Sequence, residues 1–436
     1  MVAVLDALLS RTSSGPGGQR PVPGLPQGSS LSPLWANLAL SRDEALEAIR
    51  VINEAVEDLG MRLGTEKTAA MSFDEGFCFL GEDFGPRYPP ALDDHRVVDP
   101  PRRALYVGVQ GARVRVSGGR CLVESPQDEE LLDVPTGGVE RLVCFGSVGV
   151  SAGFRSWALA HDVEMVFCSR RGSYLGHALD LGSRVRVDRV RAQLAVADDA
   201  RTAMVFARAV VEAKVRKQIV VVQKAIRRQT VEVAGEAVGQ MRHLLRMVPL
   251  AESRDELMGL EGAAAREYFA ALGELVPEEV RFTGRSRRPP QDMVNSALSF
   301  GYTILLGETI SALCAAGLDP AIGVLHAEDE SRPSPALDLM EEFRPLVVDQ
   351  VVLAATRRGE LRAVHGRRQD GVDGVLLTKA GREALIGGYE RRMLQRTRGA
   401  LPEFSGSLRR HLYRQAQRVA AFVRDPAVGW TGLSWR

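Results

Sequence analysis

Residues 188–229, DRVRAQLAVADDARTAMVFARAVVEAKVRKQIVVVQKAIRRQ, decide the fold class of the larger part of this chain. The apolar residues in this stretch follow a helical period, which predicts one or two long helices. Amphipathic or largely apolar segments of ordinary helix length follow at 256–275, 291–318 and 334–356. We therefore predict a large α-helical domain over residues 187–436.

The residues before this helical part show a different pattern. In residues 104–124, ALYVGVQGARVRVSGGRCLVE, apolar and polar residues alternate around glycine-rich turns, which is typical of β-strands. Short runs of the same kind continue in VERLVCFGSVGVS, WALA, VEMVFCS and SYLG. These runs predict a small, mostly β domain over residues 103–186. The expected fold class is α+β, with a small β domain followed by the large helical domain.

Residues 1–102 form a third region. Residues 11–33 are dense in Gly, Pro and Ser, which predicts a loop. Residues 36–64 carry apolar side chains at helical spacing, and the runs AAMSF and FCFLG predict two short strands around a turn at residues 74–76. The proline content of residues 85–102 is typical of a linker.

Length and composition are those of a globular protein. The 436 residues correspond to roughly three domains, and 45% hydrophobic with 25% charged residues excludes wholesale disorder. No window approaches the ~18 uninterrupted apolar residues of a membrane helix, and the first ten residues lack the basic region of a secretory signal. We therefore expect a cytoplasmic protein without a membrane span. The five cysteines lie in apolar contexts without metal-binding spacing, which predicts buried, reduced thiols.

Arg strongly outnumbers Lys in this chain, and the basic residues are unevenly distributed along it, although the formal net charge is only +1. Five of the 56 basic residues are Lys and the rest are Arg, whose guanidinium group binds phosphate oxygens in pairs. Residues 391–436 contain ten Arg and two acidic residues. This pattern indicates either a local anionic partner such as nucleic acid or solvated helix faces.

Two polar residues lie inside otherwise apolar sequence. Glu261 is flanked by Gly259 and Gly262, which leave room for a bulky group near its carboxylate, although a surface Glu would show the same pattern. His326 ends an apolar run and precedes an acidic loop; it is a candidate ligand or a structural hydrogen-bonding residue.

Asp338 and Glu341 are three residues apart, so one helix face would carry both carboxylates, with Glu342 and Arg344 off that face. Such like charges repel unless a cation lies between them or water screens them, as in a solvated acidic stripe. Together with Glu261 and His326 they form a set of ligands that suits Mg²⁺ or Mn²⁺. Phosphodiester chemistry requires such a divalent ion, surrounded by Arg residues.

Four ordered motifs resemble the CRISPR-associated adaptation integrase family (Cas one). They are LMGLEGAAAREYF, FTGRSRRPPQDMVNSALSFGY, GLDPAIGVLH and SPALDLMEEFRPLVVD. The runs CFGSVGVSAG and SRRGSYLG are similar to the β domain of that family, so the resemblance extends from about residue 104 to the end.

The resemblance implies a metal-dependent DNA endonuclease and integrase that inserts short DNA fragments into a repeat array by transesterification. By the same resemblance, Glu261, His326 and Glu341 are the catalytic metal ligands, with Asp338 as a further acid beside them. The segment implied to meet DNA contains Arg287, Arg288, Asn295, Tyr302 and, past the ligand helix, Arg344. The family also implies a homodimer, and a small ferredoxin-like adaptation partner (Cas two). The alternative is a DNA-binding scaffold without catalytic activity.

The N-terminal region resembles the palm of a group II intron-type reverse transcriptase, in GLPQGSSLSPLWANLAL and LGMRLGTEKTAAMSFDEGFCFLG. Polymerases of this kind need paired Asp residues at a strand turn to hold two metal ions. Leu40 is followed directly by Ser41, Arg42 and Asp43, so that pair is missing. We therefore interpret residues 1–102 as a degenerate remnant without polymerase activity. An active polymerase is the alternative.

Overall fold

The structure is a computed structural model. It describes residues 50, 51, 54, 77–79, 82–84, 103–178, 187–227, 232–280, 282–286, 289–323, 333–369, 372–401 and 404–434. Two units are distinguished, Met1–Ser72 and Phe73–Arg436. In the first, Arg50, Val51 and Glu54 are helical, and the Arg50 and Glu54 side chains form an exposed ion pair at 2.6 Å. They lie within the helix predicted for residues 36–64.

Two short strands begin the second unit. β1 (Phe77–Phe79) pairs antiparallel with β2 (Glu82–Phe84). The strand predicted in FCFLG is confirmed in β1, whereas β2 was not predicted. The run AAMSF, the predicted turn and the predicted linker lie outside the described residues.

The predicted β region is present as two four-stranded sheets. Its strands are β3 (Arg103–Val107), β4 (Arg113–Ser117), β5 (Arg120–Glu124), β6 (Glu130–Pro135), β7 (Val139–Phe145), β8 (Gly149–Val150), β9 (Glu164–Cys168) and β10 (Tyr174–Ala178). One sheet has the order β10–β9–β7–β3, in which β7 runs parallel to β9 and to β3. The other has the order β6–β5–β4–β8.

A helix, α1 (Ala152–Ala160), lies between β8 and β9, so the prediction of a strand in WALA is wrong. The Ser151 hydroxyl accepts a hydrogen bond from the Phe154 N–H and caps this helix. Phe154 and Ala158 are four residues apart and fully buried, which is helical and not strand spacing. Together with residues of both sheets they form a small core of their own.

The helical domain follows, as predicted. Its helices are α2 (Val187–Asp198), α3 (Ala200–Ile226), α4 (Glu232–Met247), α5 (Arg254–Leu275), α6 (Met293–Ala315), α7 (Ser334–Met340), α8 (Gln350–Arg357), α9 (Lys379–Met393) and α10 (Leu408–Arg424). Asp199 separates α2 from α3, because its carboxylate accepts hydrogen bonds from the backbone of Arg201 and Thr202 and caps α3. Residues 188–226 of this stretch thus form two helices, separated at Asp199.

Two hairpins interrupt the helical domain, and neither was predicted. β11 (Gly366–Gln369) pairs with β12 (Val372–Leu377), and β13 (Arg396–Leu401) pairs with β14 (Phe404–Ser407). The Arg-rich C-terminal stretch therefore contains a hairpin as well as α10. Along α10, Arg409 and Arg410 are buried, so this stretch is not simply a solvated basic face.

Helix α6 is the central helix of the domain. In the part of the chain that the structure describes, it alone is long and apolar enough to cross a membrane, but 78% of its most apolar window is buried inside the protein. Gly307 of α6 lies against Val166 of β9, so the sheet that contains β7 and β9 packs on this helix. The four described cysteines are buried free thiols, as predicted.

Buried charges join the β region to the helical domain. Arg409 of α10 donates to Glu308 of α6 and lies 2.8 Å from Glu390 of α9. Arg141 of β7 lies 3.3 Å from Glu164 of β9 and 3.7 Å from Glu308. Three tyrosine hydroxyls take part, since Tyr106 donates to Glu390, Tyr389 donates to Glu308 and Tyr413 accepts from Arg141. The two regions therefore share one hydrogen-bonded ionic network.

We expect Arg409→Leu to lower the free energy of unfolding by about 3–5 kcal/mol, because it leaves Glu308 as a buried charge with less compensation. Urea unfolding followed by circular dichroism measures this change. Arg216→Ala removes an exposed pair with Glu212 and should cost less than about 0.5 kcal/mol. Equal losses in the two variants would show that the buried network contributes nothing specific.

Candidate metal centre

Glu261 lies in the second turn of α5, a helix that begins after Ser253, whose hydroxyl accepts a hydrogen bond from the Glu256 N–H. A Cβ atom at Gly259 or at Gly262 would meet nothing within 4 Å. The two glycines therefore leave open space around the base of Glu261. The Glu261 side chain itself is 14% exposed, so the surface interpretation of this residue does not hold.

Lys214 of α3 brings Glu261 and Glu341 together. Its Nζ contacts Glu261 Oε1 and lies 2.5 Å from Glu341 Oε2. Burial lowers the pKa of Lys214, but the carboxylates of Glu341 and Glu261 outweigh burial, and the pKa lies above its ordinary value. Two carboxylates that are 80 residues apart in the sequence thus share one buried cation.

The chain changes its helical winding at Glu341. Helix α7 ends at Met340, and residues Arg344–Asp349 form a π-helix that leads into α8. Wider π-turns are often found at functional sites. Arg344 NH1 lies 3.1 Å from Glu341 Oε1, so the expectation that Arg344 lies away from the ligand face is wrong.

Asp338 and Glu341 are both buried, with 1% and 3% of their surface exposed. The alternative of a solvated acidic stripe is therefore excluded. Glu342 is buried as well, and its carboxylate accepts hydrogen bonds from Gln415 Nε2 at 2.6 Å and from the Leu433 N–H at 2.8 Å. Burial raises the pKa of Glu342 above its ordinary value.

A small, partly open cleft adjoins Lys214. Its lining residues are Lys214, Gln218, Ala265, Phe269, Arg285, Tyr302, Arg344, Pro345 and Asp349. The guanidinium groups of Arg285 and Arg344 lie 5.5 and 4.9 Å from the centre of the Tyr302 ring. Three cations around one opening can hold an anion such as a phosphodiester.

Asn295 occupies a different kind of position from Tyr302. It is fully buried, and its Oδ1 accepts hydrogen bonds from Arg285 NH1 and from the Ser286 N–H, both at 2.8 Å. Its amide nitrogen donates to Asp292 and to the Gly284 carbonyl. Asn295 thus positions Arg285 beside the cleft, while the amide of Asn295 itself stays buried.

Three predicted site residues lie outside the described residues, namely His326, Arg287 and Arg288. Among the residues that the structure does describe, no cluster of three or more His, Cys, Asp or Glu side chains is close enough to hold a metal. Sequence reasoning missed Lys214 and Asp349, whereas Arg285 belongs to a basic cluster with Arg287 and Arg288 that indicates an anionic partner. A signal for Lys214 existed, because Lys is rare in a chain that otherwise uses Arg.

Asp349 is a buried acid at the base of the cleft. It accepts hydrogen bonds from Tyr268 at 2.8 Å and from Tyr302 at 2.6 Å. Burial raises the pKa of Asp349 to about 6, although the bonds from Tyr302 and Tyr268 act in the opposite direction. The folded protein therefore binds this proton more tightly than the unfolded chain, in which the pKa is about 3.9.

We expect the protein to lose stability as pH rises through the range in which Asp349 loses its proton. Because the folded pKa exceeds the unfolded one, the free energy of unfolding falls between about pH 4 and pH 6. This loss is absent in Asp349→Asn. The free energy of unfolding of the variant, relative to that of wild type, should therefore rise by up to about 3 kcal/mol between pH 4 and pH 7. Urea unfolding at each pH measures the difference. Glu212→Gln, which changes an exposed carboxylate, should show no such trend, and a flat difference for Asp349→Asn would contradict the shift.

The family model described as "CRISPR associated protein Cas1" matches residues 105–391. The chain is 34% identical over 344 residues to CRISPR-associated endonuclease Cas1 2 of Rhodospirillum rubrum, which covers 76% of this chain and 98% of the relative. It is 37% identical over 317 residues to CRISPR-associated endonuclease Cas1 1 of Thermus thermophilus, covering 73% of this chain and 95% of the relative.

Solved structures share the fold. A casposase bound to integration product has a TM-score of 0.65 at 20% identity, covering 76% of this chain and 92% of its own. A Cas6-RT-Cas1–Cas2 complex has a TM-score of 0.64 at 22% identity, covering 97% of this chain and 50% of its own. With the family model matching well over half of the residues, this chain belongs to the Cas1 family of CRISPR-associated proteins.

Proposed function

We propose that this protein is a metal-dependent DNA endonuclease and integrase of CRISPR adaptation. Its substrates would be a short DNA fragment and a repeat array, joined by transesterification. The observation that carries the proposal is the convergence of Glu261 and Glu341 on one buried cation beside a cleft lined by Lys214, Arg285 and Arg344.

The donor set fits Mg²⁺ or Mn²⁺. Both described ligands are carboxylates, which are the hard oxygen donors that these ions prefer, and one imidazole is tolerated beside them. Glu261 and Glu341 would hold the ion together with His326, and buried Asp338 would support a ligand or a second ion. When bound, the ion would supply charge that offsets the attacking and leaving oxygens at the phosphorus.

The residues of the cleft would bind and orient the DNA. Arg285, held by Asn295, and Arg344, held by Glu341, would neutralise phosphate oxygens, and the Tyr302 ring between them would fix their spacing. The 3′-hydroxyl oxygen of the fragment would form a bond to phosphorus as the bond to the leaving 3′-oxygen of the repeat breaks. The proton of the attacking hydroxyl passes to solvent, and the leaving oxygen takes one up, so no covalent enzyme intermediate is needed.

The partners in this proposal are DNA, a second copy of the chain and a small Cas2-type protein, in the cytoplasm. Support for DNA and Cas2 comes from the two similar structures, of which one is bound to integration product and the other is a complex with Cas2. Arg287 and Arg288 would add phosphate contacts and a strong salt dependence of DNA binding.

We also propose that residues 1–102 are a degenerate reverse-transcriptase remnant. The family match begins only at residue 105, so this region lies before the Cas1 part. The likeness to the Cas6-RT-Cas1–Cas2 complex covers 97% of this chain, which supports the proposal. The lack of an Asp pair after Leu40 supports the loss of polymerase activity.

A half-site integration assay into a repeat-bearing plasmid with Mn²⁺ tests the main proposal. We expect Glu261→Ala, His326→Ala and Glu341→Ala each to lose more than about 100-fold in rate, because even changes next to a metal ligand cost 10–100-fold. Glu212→Ala, which removes an exposed carboxylate on α3, should match wild type. Wild-type rates in all three ligand variants would favour the scaffold alternative.

The remnant interpretation predicts that the full-length protein incorporates no nucleotides on a primed template with Mg²⁺ or Mn²⁺. No paired Asp residues follow Leu40, where a palm would hold the two metal ions that the reaction needs, and the pairs at 93–94 and 198–199 lie in the predicted linker and in predicted helical sequence. Template-dependent extension of the primer, measured on a sequencing gel against a retroviral-type polymerase as positive control, would restore the polymerase alternative.

A further inference from the structure

Lys214 lies where the proposed metal ligands meet. Its Nζ contacts Glu261 Oε1 and lies 2.5 Å from Glu341 Oε2, so it takes the place between the two carboxylates. The Lys214 side chain is only 9% exposed. An ammonium group with three donors can satisfy both carboxylates at once, and bulk water contributes little screening at this depth.

Among the described residues, the side chains whose ion pairs meet here carry equal numbers of positive and negative charges. Glu261 and Glu341 supply two negative charges, while Lys214 and Arg344, which lies 3.1 Å from Glu341, supply two positive ones. A divalent ion added to this set would leave two uncompensated positive charges in a partly desolvated place. Such charges are costly unless an anion joins them or a resident cation leaves.

The small cleft next to Lys214 is the place where that anion would bind. Lys214, Arg285 and Arg344 all line it, and the Lys214 ammonium contacts the carboxylate pair, so one residue joins the two sites. A DNA phosphate in the cleft would give Lys214 an alternative partner and would offset part of the charge of the ion. Metal binding and DNA binding should therefore favour each other.

We propose that Lys214 is a positioning residue that holds Glu261 and Glu341 together in place of the divalent ion, and that it yields this place only when DNA phosphate enters the adjoining cleft. The proposal rests on the proposed function, because it takes these two residues as metal ligands. It makes tight metal binding conditional on DNA, which limits cleavage chemistry in the protein without its substrate.

Calorimetric titration of Mn²⁺ into the full-length protein tests the proposal, with and without a short DNA duplex. We expect DNA to tighten Mn²⁺ binding to wild type by at least about fivefold. Lys214→Met removes the charge at similar side-chain volume and should tighten Mn²⁺ binding at least tenfold in the absence of DNA. Lys224→Met, ten residues further along α3, should behave as wild type. Binding to Lys214→Met no tighter than to wild type would overturn the proposal.

A second measurement applies if Lys214→Met does not fold. The chain contains five Lys residues, so protein labelled with ¹³C-lysine gives few side-chain signals, and Lys214→Arg identifies that of Lys214. We expect this signal to move when Mg²⁺ is added with DNA. A signal that stays in place while Mg²⁺ binds would overturn the proposal.

Glu261→Gln and Glu341→Gln separate this proposal from the proposed function. If both variants bind Mn²⁺ with wild-type affinity in the presence of DNA, the assigned metal site is wrong, and so is the proposed role of Lys214. If both lose Mn²⁺ binding while Lys214→Met leaves the affinity unchanged, the metal site stands and only the role of Lys214 is wrong.

Discussion

The pairing of Glu261 and Glu341 across Lys214 is the constraint on which the site depends. Two carboxylates in a largely desolvated place repel each other strongly, and the fold can hold them together only by supplying positive charge. The three residues come from α3, α5 and the end of α7, so this pairing also fixes how three separate helices approach. Arg344 adds a second cation on the side of the cleft.

The neighbouring acids that follow α7 serve different purposes. Glu341 points to Lys214, and Glu342 points to the C-terminal segment, where it accepts from the Leu433 N–H. Lys217, one turn after Lys214, donates to the Leu433 carbonyl. A Cβ atom at Gly432 would collide with the Ala213 side chain, so only glycine allows this close approach. The C-terminal segment thus holds the backbone that carries Glu341.

The sequence predicted the parts of the fold that local periodicity controls. Residues 188–229 follow a helical period throughout, and the strands of residues 104–124 alternate between glycine turns. WALA was misassigned because four apolar residues fit a strand or a helix equally well, and the Ser151 cap decides between them. The hairpins β11–β12 and β13–β14 were missed because β11 and β13 are short, contain two Arg residues each and carry little apolar alternation.

The metal site was predicted as three acids and His326, but without the lysine that joins two of the acids. Glu261 and Glu341 stood out as charges in apolar helices, whereas Lys214 lies among several other charged residues of a long helical stretch. Its partners lie 47 and 127 residues away, and no local pattern encodes a contact of that range. The choice of Lys instead of Arg at position 214 does reflect the limited space there, because a compact ammonium can lie between two carboxylates where a planar guanidinium would need more room.

Two buried ionic networks in this protein differ in whether one of their sides opens on a cleft. Around Glu308, the partners Arg141, Arg409 and Tyr389 come from every side, so the network is closed. Around Lys214, one side opens on the cleft that Arg285 and Asp349 line. A closed network can only lose stability when its charge changes, because no ligand can reach it. An open one can exchange a resident cation for an incoming ion, since the cleft admits the anion that balances the exchange. Under the proposed function, burial and charge alone therefore do not distinguish the site; the open side beside the charges does.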